Sequence, residues 1–161
     1  MTAKHLALTT TVRALALTTT VRALSMATQK RPTIVWLRDE LRLHDNALLA
    51  EAAKRGGPVV PVHCLDPRVV GAAATSDHGS GKTGPRRAKF LLESLADLRS
   101  SLAGAGSGLV VRRGSPETVL ADLAEALGGD VSVVCSDGHC PEERRDEAAV
   151  AAALPLAKIW E

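Results

Sequence analysis

From Thr33 onward the sequence alternates short apolar runs with longer stretches of helix-forming residues, and glycine or proline marks most of the changes. The apolar runs predict strands at Thr33–Leu37, Val59–Leu65, Leu109–Arg112, Val131–Cys135 and Leu156–Trp160. The stretches between them predict helices at Asn46–Lys54, Pro85–Leu102, Pro116–Leu127 and Pro141–Ala153. A run such as Ile34–Leu37, apolar at every position, suits a strand covered on both faces. Strands joined through helices run parallel, and each such crossover is right-handed. Five strands and four helices in this order predict an α/β domain, a parallel sheet with helices on both faces.

Local signals refine these elements. Asp45 is placed to cap the first helix, and Gly56-Gly57-Pro58 to stop it. Ser115-Pro116-Glu117 reads as a helix start, with a hydroxyl cap, a proline at the first position and an acid in the first turn. Glu142 and Glu143 complement the dipole of the last helix in the same way. The second helix carries Phe90, Leu91, Leu95, Leu98 and Leu102 at helical spacing. That face is expected to meet the sheet, with Phe90, the only phenylalanine, as its anchor. Pro61 is awkward inside a strand because it cannot donate to the ladder. Aromatic residues make up only 2% of the chain, so alanine, leucine and valine must fill the core.

The net charge of +2 is unevenly placed. Residues 1–31 hold Lys4, Arg13, Arg22, Lys30 and Arg31 and no acid, which is +5, and the remainder carries −3. A body at −3 lacks the basic footprint of nonspecific nucleic-acid binding, so no direct DNA contact is expected from it. No apolar run approaches the roughly 20 residues that span a bilayer. Three cysteines, Cys64, Cys135 and Cys140, do not make a disulfide framework, and a reducing compartment fits them best.

The first 31 residues read as a leader outside the fold. Leu6–Ala14 recurs as Leu15–Ala23, and two nine-residue copies are too few for a solenoid. Rich in threonine, with spaced arginines and no acid, the segment has the composition of an organelle import sequence. It points to the chloroplast or the mitochondrion. A disordered extension, or a true start at Met26 with a cytoplasmic or nuclear location, is the alternative.

Several motifs are weaker than they look. Gly79-Ser80-Gly81-Lys82-Thr83 resembles the end of a phosphate-binding loop, but Ser76 stands where the first glycine belongs. The preceding strand also ends too far back, near Leu65. His63-Cys64 and His139-Cys140 offer zinc-type ligands without a close pair of cysteines, so no metal site is expected. Arg86-Arg87 and Arg112-Arg113 read as solvated ends of elements, with a phosphate-bearing or polyglutamyl ligand as the functional alternative. No nucleophile–base pairing is legible, so no catalytic residue is assigned. Ligands of open parallel sheets bind beyond the carboxyl ends of the strands. That edge gathers Arg38-Asp39, the long connection from Asp66 to Lys82, Arg112-Arg113-Gly114 and Ser136-Asp137-Gly138.

Four segments resemble the photolyase/cryptochrome family. Trp36-Leu37-Arg38-Asp39-Glu40-Leu41-Arg42-Leu43-His44-Asp45-Asn46 is similar to the family's opening pattern, with Leu37 in place of the usual phenylalanine. Val60–Arg68 is similar to its second strand and Asp-Pro turn, and Pro61 occurs there in the family too. Lys82–Arg99 looks most like the cryptochrome DASH branch, and Leu109–Glu117 completes the match. The resemblance covers about Pro32 to Glu161. It implies a Rossmann-like, five-stranded parallel sheet of order 3-2-1-4-5, the antenna domain of the family.

The resemblance also implies blue-light sensing or light-driven repair of pyrimidine dimers. In the family, both depend on a second, helical domain that holds FAD, the DNA-facing cavity and an electron-passing tryptophan relay. This chain reads as a truncated form without that domain. Its two tryptophans, Trp36 and Trp160, lie on separate predicted strands, and the chain is not expected to be photoactive alone. The usual antenna chromophore of this branch is methenyltetrahydrofolate, anchored by a glutamate after the fourth strand. Alignment through Cys140-Pro141-Glu142-Glu143 places Gly138 at that position, with Asp137 beside it. Arg38, Asp39, Asp137 and Gly138 are the candidate chromophore residues. Expected partners are a chromophore, the helical domain of a relative, or a second copy. The alternative is a stand-alone Rossmann-like module that binds a nucleotide or a protein.

Overall fold

A computed structural model describes residues 30–71 and 82–159. The leader up to Gln29, the Gly79–Gly81 part of the phosphate-loop-like motif and Trp160 lie outside the described residues. Among the described residues nine elements alternate in chain order. They are β1 (Thr33–Trp36), α1 (Ala47–Arg55), β2 (Val59–Leu65), α2 (Pro85–Gly104), β3 (Val110–Arg113), α3 (Pro116–Ala126), β4 (Ser132–Ser136), α4 (Pro141–Ala153) and β5 (Leu156–Ile159). The strands form one sheet in the order β3-β2-β1-β4-β5, and every pairing is parallel.

β1 lies at the centre and is buried at all four positions. Successive side chains of a strand point to opposite faces, which divides the core in two. Ile34 and Trp36 pack with Val119, Leu120 and Ala124 of α3 and Val150 of α4. Val35 and Leu37 pack with Leu48 and Ala52 of α1 and Leu95, Leu98 and Leu102 of α2. A buried leucine is worth roughly 1.5–3 kcal/mol, so the three leucines of α2 hold that helix to the sheet. Thr33 and Ser132, buried on neighbouring strands, satisfy each other through their hydroxyls at 3.2 Å.

Pro61 is accommodated by the pattern of the ladder. Pro58 and Val62 accept from Thr33 and Leu37 of the β1 side, so the even positions of β2 face β1. Leu65 accepts from Gly114, so the odd positions face β3. The missing N–H of Pro61 therefore falls on the β3 side, one residue before that pairing begins at Val62.

Three local expectations are corrected. Phe90 is not an anchor: it is 72% exposed. The line through Leu95, Leu98 and Leu102 runs back through Leu91, and Phe90 sits about 100° round the helix from it. The cap of α1 is Asn46, whose side chain accepts from Leu49 N at 3.0 Å and donates to the carbonyls of Glu40 and Arg42. Asp45, at φ 50°, takes the left-handed turn into the helix instead. Ser115 stands at the N-cap of α3 as expected, but its side chain makes no capping bond to the backbone, and its hydroxyl pairs with Thr118 Oγ1 at 2.9 Å.

Candidate functional site

The carboxyl edge of β1, β4 and β5 carries a connected set of charges. Arg38 follows β1, and its Nη2 donates to Ser136 O at 2.6 Å and to Ser136 Oγ at 3.1 Å. The same nitrogen is ion-paired with Glu147 Oε1 at 3.0 Å, and the guanidinium lies 5.2 Å from the Trp36 ring centre, a cation–π distance. Glu147 rises from α4 into the interior, its side chain only 4% exposed. Its Oε1 also accepts the N–H of Gly138 at 2.6 Å. Lys158 of β5 reaches Glu147 Oε2 at 3.4 Å and donates to Asp137 Oδ1 at 2.6 Å. That hydrogen bond lowers the Asp137 pKa and raises the Lys158 pKa. Arg38 Nη1 and Glu147 Oε2 make no hydrogen bond of their own among the described residues.

Of the four sequence-derived candidates, the structure brings Arg38, Asp137 and Gly138 together through Glu147 and Lys158. Asp39 is exposed and stands apart from this set. Gly138 has no space for a side chain. A Cβ there would meet Glu147 Oε1 and would lie 2.6 Å from Glu143 Cβ. Glu147 and Lys158 were not singled out by sequence reasoning. A signal for Glu147 existed, since it falls three residues before Val150 on the buried stripe of α4.

A second set of charges ties the chain after β2 to the helices. Arg68 forms a forked pair with Asp66 at 2.6–3.0 Å and reaches Asp146 of α4 at 3.2 Å and Glu117 of α3 at 3.4 Å. The Asp66 hydrogen bonds raise the Arg68 pKa, and burial raises that of Asp146. At the other end of the connection, Lys82 donates to Glu142 of α4 at 2.7 Å. The lysine of the phosphate-loop-like motif is thereby engaged with a carboxylate. Leu65 and Pro85 bound a gap between strand and helix too long for a phosphate cradle.

The described histidine and cysteine residues do not converge on a metal-binding group. Among the described residues no group of three or more His, Cys, Asp or Glu could hold a metal ion. His63 is buried, with Nδ1 3.0 Å from Leu37 O. A carbonyl only accepts, so Nδ1 carries the proton. Burial pushes the His63 pKa down, against that hydrogen bond and the charge of Asp39. Burial pushes the Cys64 and Cys135 thiols up to about 12. Glu143 accepts from the N–H groups of His139 and Cys140 at 2.9 and 3.2 Å and so closes the start of α4, the place expected of a first-turn acid. Beside the β1–α1 turn, Arg42, Leu43, Asp45, Asn46, Ala47, Leu49 and Ala50 line an open hollow of about 540 Å3.

A five-stranded parallel sheet of this order, with its polar groups gathered at one carboxyl edge, defines a doubly wound α/β domain. Residues 33–159 match the family model described as DNA photolyase, and the chain belongs to that family. It is 48% identical over 101 residues to the blue-light photoreceptor PHR2 of Arabidopsis thaliana, covering 63% of this chain and 22% of that protein. It is 44% identical over 120 residues to cryptochrome DASH of Xenopus laevis, covering 74% of this chain and 23% of that protein. The crystal structure of the Synechocystis cryptochrome superposes with a TM-score of 0.71 at 30% identity, covering 83% of this chain and 28% of the other. The chain thus spans less than a quarter of the length of these two curated relatives. Matching plant cryptochrome DASH proteins are designated chloroplastic/mitochondrial. No helix among the described residues is long and apolar enough to cross a membrane.

Proposed function

We propose that residues 32–159 act as the α/β domain of a cryptochrome DASH-like blue-light photoreceptor or DNA photolyase, and that flavin chemistry requires a helical domain supplied with it. The match across residues 33–159 of a sheet ordered β3-β2-β1-β4-β5 carries this reading. The polar groups of the carboxyl edge support a structural role, because they bond chiefly to one another. On this reading the 161-residue chain alone is photochemically silent. The buried Trp36 is covered by Arg38 and has no described aromatic neighbour to relay electrons.

Three of the four sequence-derived residues are poorly placed to hold methenyltetrahydrofolate, and the fourth, Asp39, is exposed. Position 138 has no room for a carboxylate side chain, Asp137 is held by Lys158, and Arg38 is held by Glu147 and Ser136. We assign no folate anchor to them. The leader, at +5 without an acid, is proposed as an import sequence for chloroplast or mitochondrion, in keeping with the designation of the plant relatives.

The test exchanges residues 32–159 for the matching domain of the Xenopus laevis cryptochrome DASH. The chimera is expected to retain flavin and to reduce it under blue light. A folded chimera without flavin overturns the reading. The 161-residue chain by itself, mixed with FAD or methenyltetrahydrofolate and passed through gel filtration, should emerge without either. Stoichiometric flavin on the isolated chain would overturn the proposed division of labour. The leader fused to a fluorescent protein should enter an organelle, and a diffuse cytosolic signal would count against import.

A further inference from the structure

The geometry points to an oxyanion site at the opposite edge of the sheet, in the cleft between β3 and α3. Arg112 and Arg113 end the edge strand, both exposed. Neither side chain has an ion pair or hydrogen bond among the described residues. Together with Val119, Asp122, Leu123 and Ala126 of α3 they line a cleft of about 280 Å3. β3 stands two strands from β1, roughly 10 Å at the usual spacing, so this cleft is separate from the Arg38–Glu147 set.

The chain is shaped to form it. Gly114, directly after the doublet, has φ 152°, and a Cβ there would lie 2.9 Å from Val119 Cγ2. Glycine thus lets the end of β3 close on α3. Val119 is buried and Leu123 half-buried, so the cleft has an apolar floor beneath two guanidinium groups. Guanidinium binds carboxylate and phosphate through two parallel N–H donors. The cleft is near the lower end of the 300–1,000 Å3 range for small-molecule pockets, roughly the scale of a fragment. The ligand class is a compact oxyanion, phosphate or carboxylate, carried on a small apolar body. Asp122 repels such a ligand and keeps its binding weak. Arg86-Arg87, the other doublet, sits on an exposed turn of α2 and serves as the control.

The experiment titrates phenyl phosphate, benzoate, inorganic phosphate and benzyl alcohol into the full chain and follows backbone amide shifts by NMR. Phenyl phosphate or benzoate should give saturable shifts at Arg112–Gly114, Val119 and Leu123, and whichever binds tighter identifies the oxyanion. Inorganic phosphate should bind more weakly for want of the apolar body, and benzyl alcohol should not saturate. Arg112→Gln/Arg113→Gln should weaken binding about tenfold or more, the scale of lost charge-assisted bonds. Arg86→Gln/Arg87→Gln should leave binding unchanged, and Asp122→Asn should tighten it. Arg112→Lys/Arg113→Lys keeps the charge without the fork and should fall between. The proposal is overturned if neither organic anion saturates, or if the Gln double variant binds as well as the parent.

Discussion

Glu147 reaches Gly138 through the space that a side chain at position 138 would fill, and its Oε1 accepts the Gly138 N–H at 2.6 Å. The position that resemblance marks for a projecting carboxylate is therefore served by an inward-facing one from α4. The N–H bond fixes the turn between β4 and α4, and Arg38 and Lys158 hold the carboxylate from β1 and β5.

Gly138→Ala should destabilise the domain by about 1–3 kcal/mol, the usual cost of forcing atoms into a packed site. Gly138→Glu should cost more and should not restore folate binding. Urea titration checks both. A cost for the alanine variant below about 0.5 kcal/mol, the level of an ordinary surface change, would show that the turn relaxes freely.

Arg38 and Glu147 form a mostly buried pair, and removing Arg38 leaves the Glu147 carboxylate with the more distant Lys158 as its remaining cation. Arg38→Met alone should cost at most about 3–5 kcal/mol, and adding Glu147→Gln, which removes the charge but keeps an acceptor for the Gly138 N–H, should recover much of it. A double-variant cycle by chemical denaturation measures the coupling. Additive losses would mean that the two charges act independently.

Acid should weaken the fold through His63. Burial holds its folded-state pKa below 6.5. Below that pH the unfolded chain takes up a proton that the folded chain resists. The His63 contribution is thus complete above 6.5 and lost as pH falls toward the folded-state value. Comparing parent and His63→Gln between about pH 5 and 8, the histidine range, should show a shallower decline in the variant. Identical profiles would place the acid sensitivity elsewhere.

Phe90→Ala should change stability by less than about 1 kcal/mol, because the ring is 72% exposed. Leu98→Ala, on the same helix but 2% exposed, should cost about 2–5 kcal/mol. Thermal and denaturant unfolding of the two variants would reverse this order only if the face of α2 is the other one.

The elements were legible because their signals are local. Gly128-Gly129 and Pro155 bracket β4 and α4 in the sequence itself, and α4 spans Pro141–Ala153 as expected. Strand ends slid by a residue, as at β3, because pairing with β2 rather than composition decides where a strand stops. The order of the strands came from resemblance, since local patterns do not specify which neighbours pair. The candidate edge was legible as a place, but its wiring was not. Glu147 and Gly138 are neighbours only after the turn into α4 forms, and Lys158 joins them only across the sheet. Phe90 misled because a helical stripe can be drawn through several residues, and only the sheet selects one.

Arg68 and Lys82 stand at the two ends of the connection between β2 and α2, and both are fastened to α4, at Asp146 and Glu142. The entropy of closing a loop grows only with the logarithm of its length, about 0.6 kcal/mol for each doubling. With its ends already moored on one rigid helix, the span between them can gain or lose residues at little thermodynamic penalty. A change of length there would leave the register of the sheet beneath it unaltered.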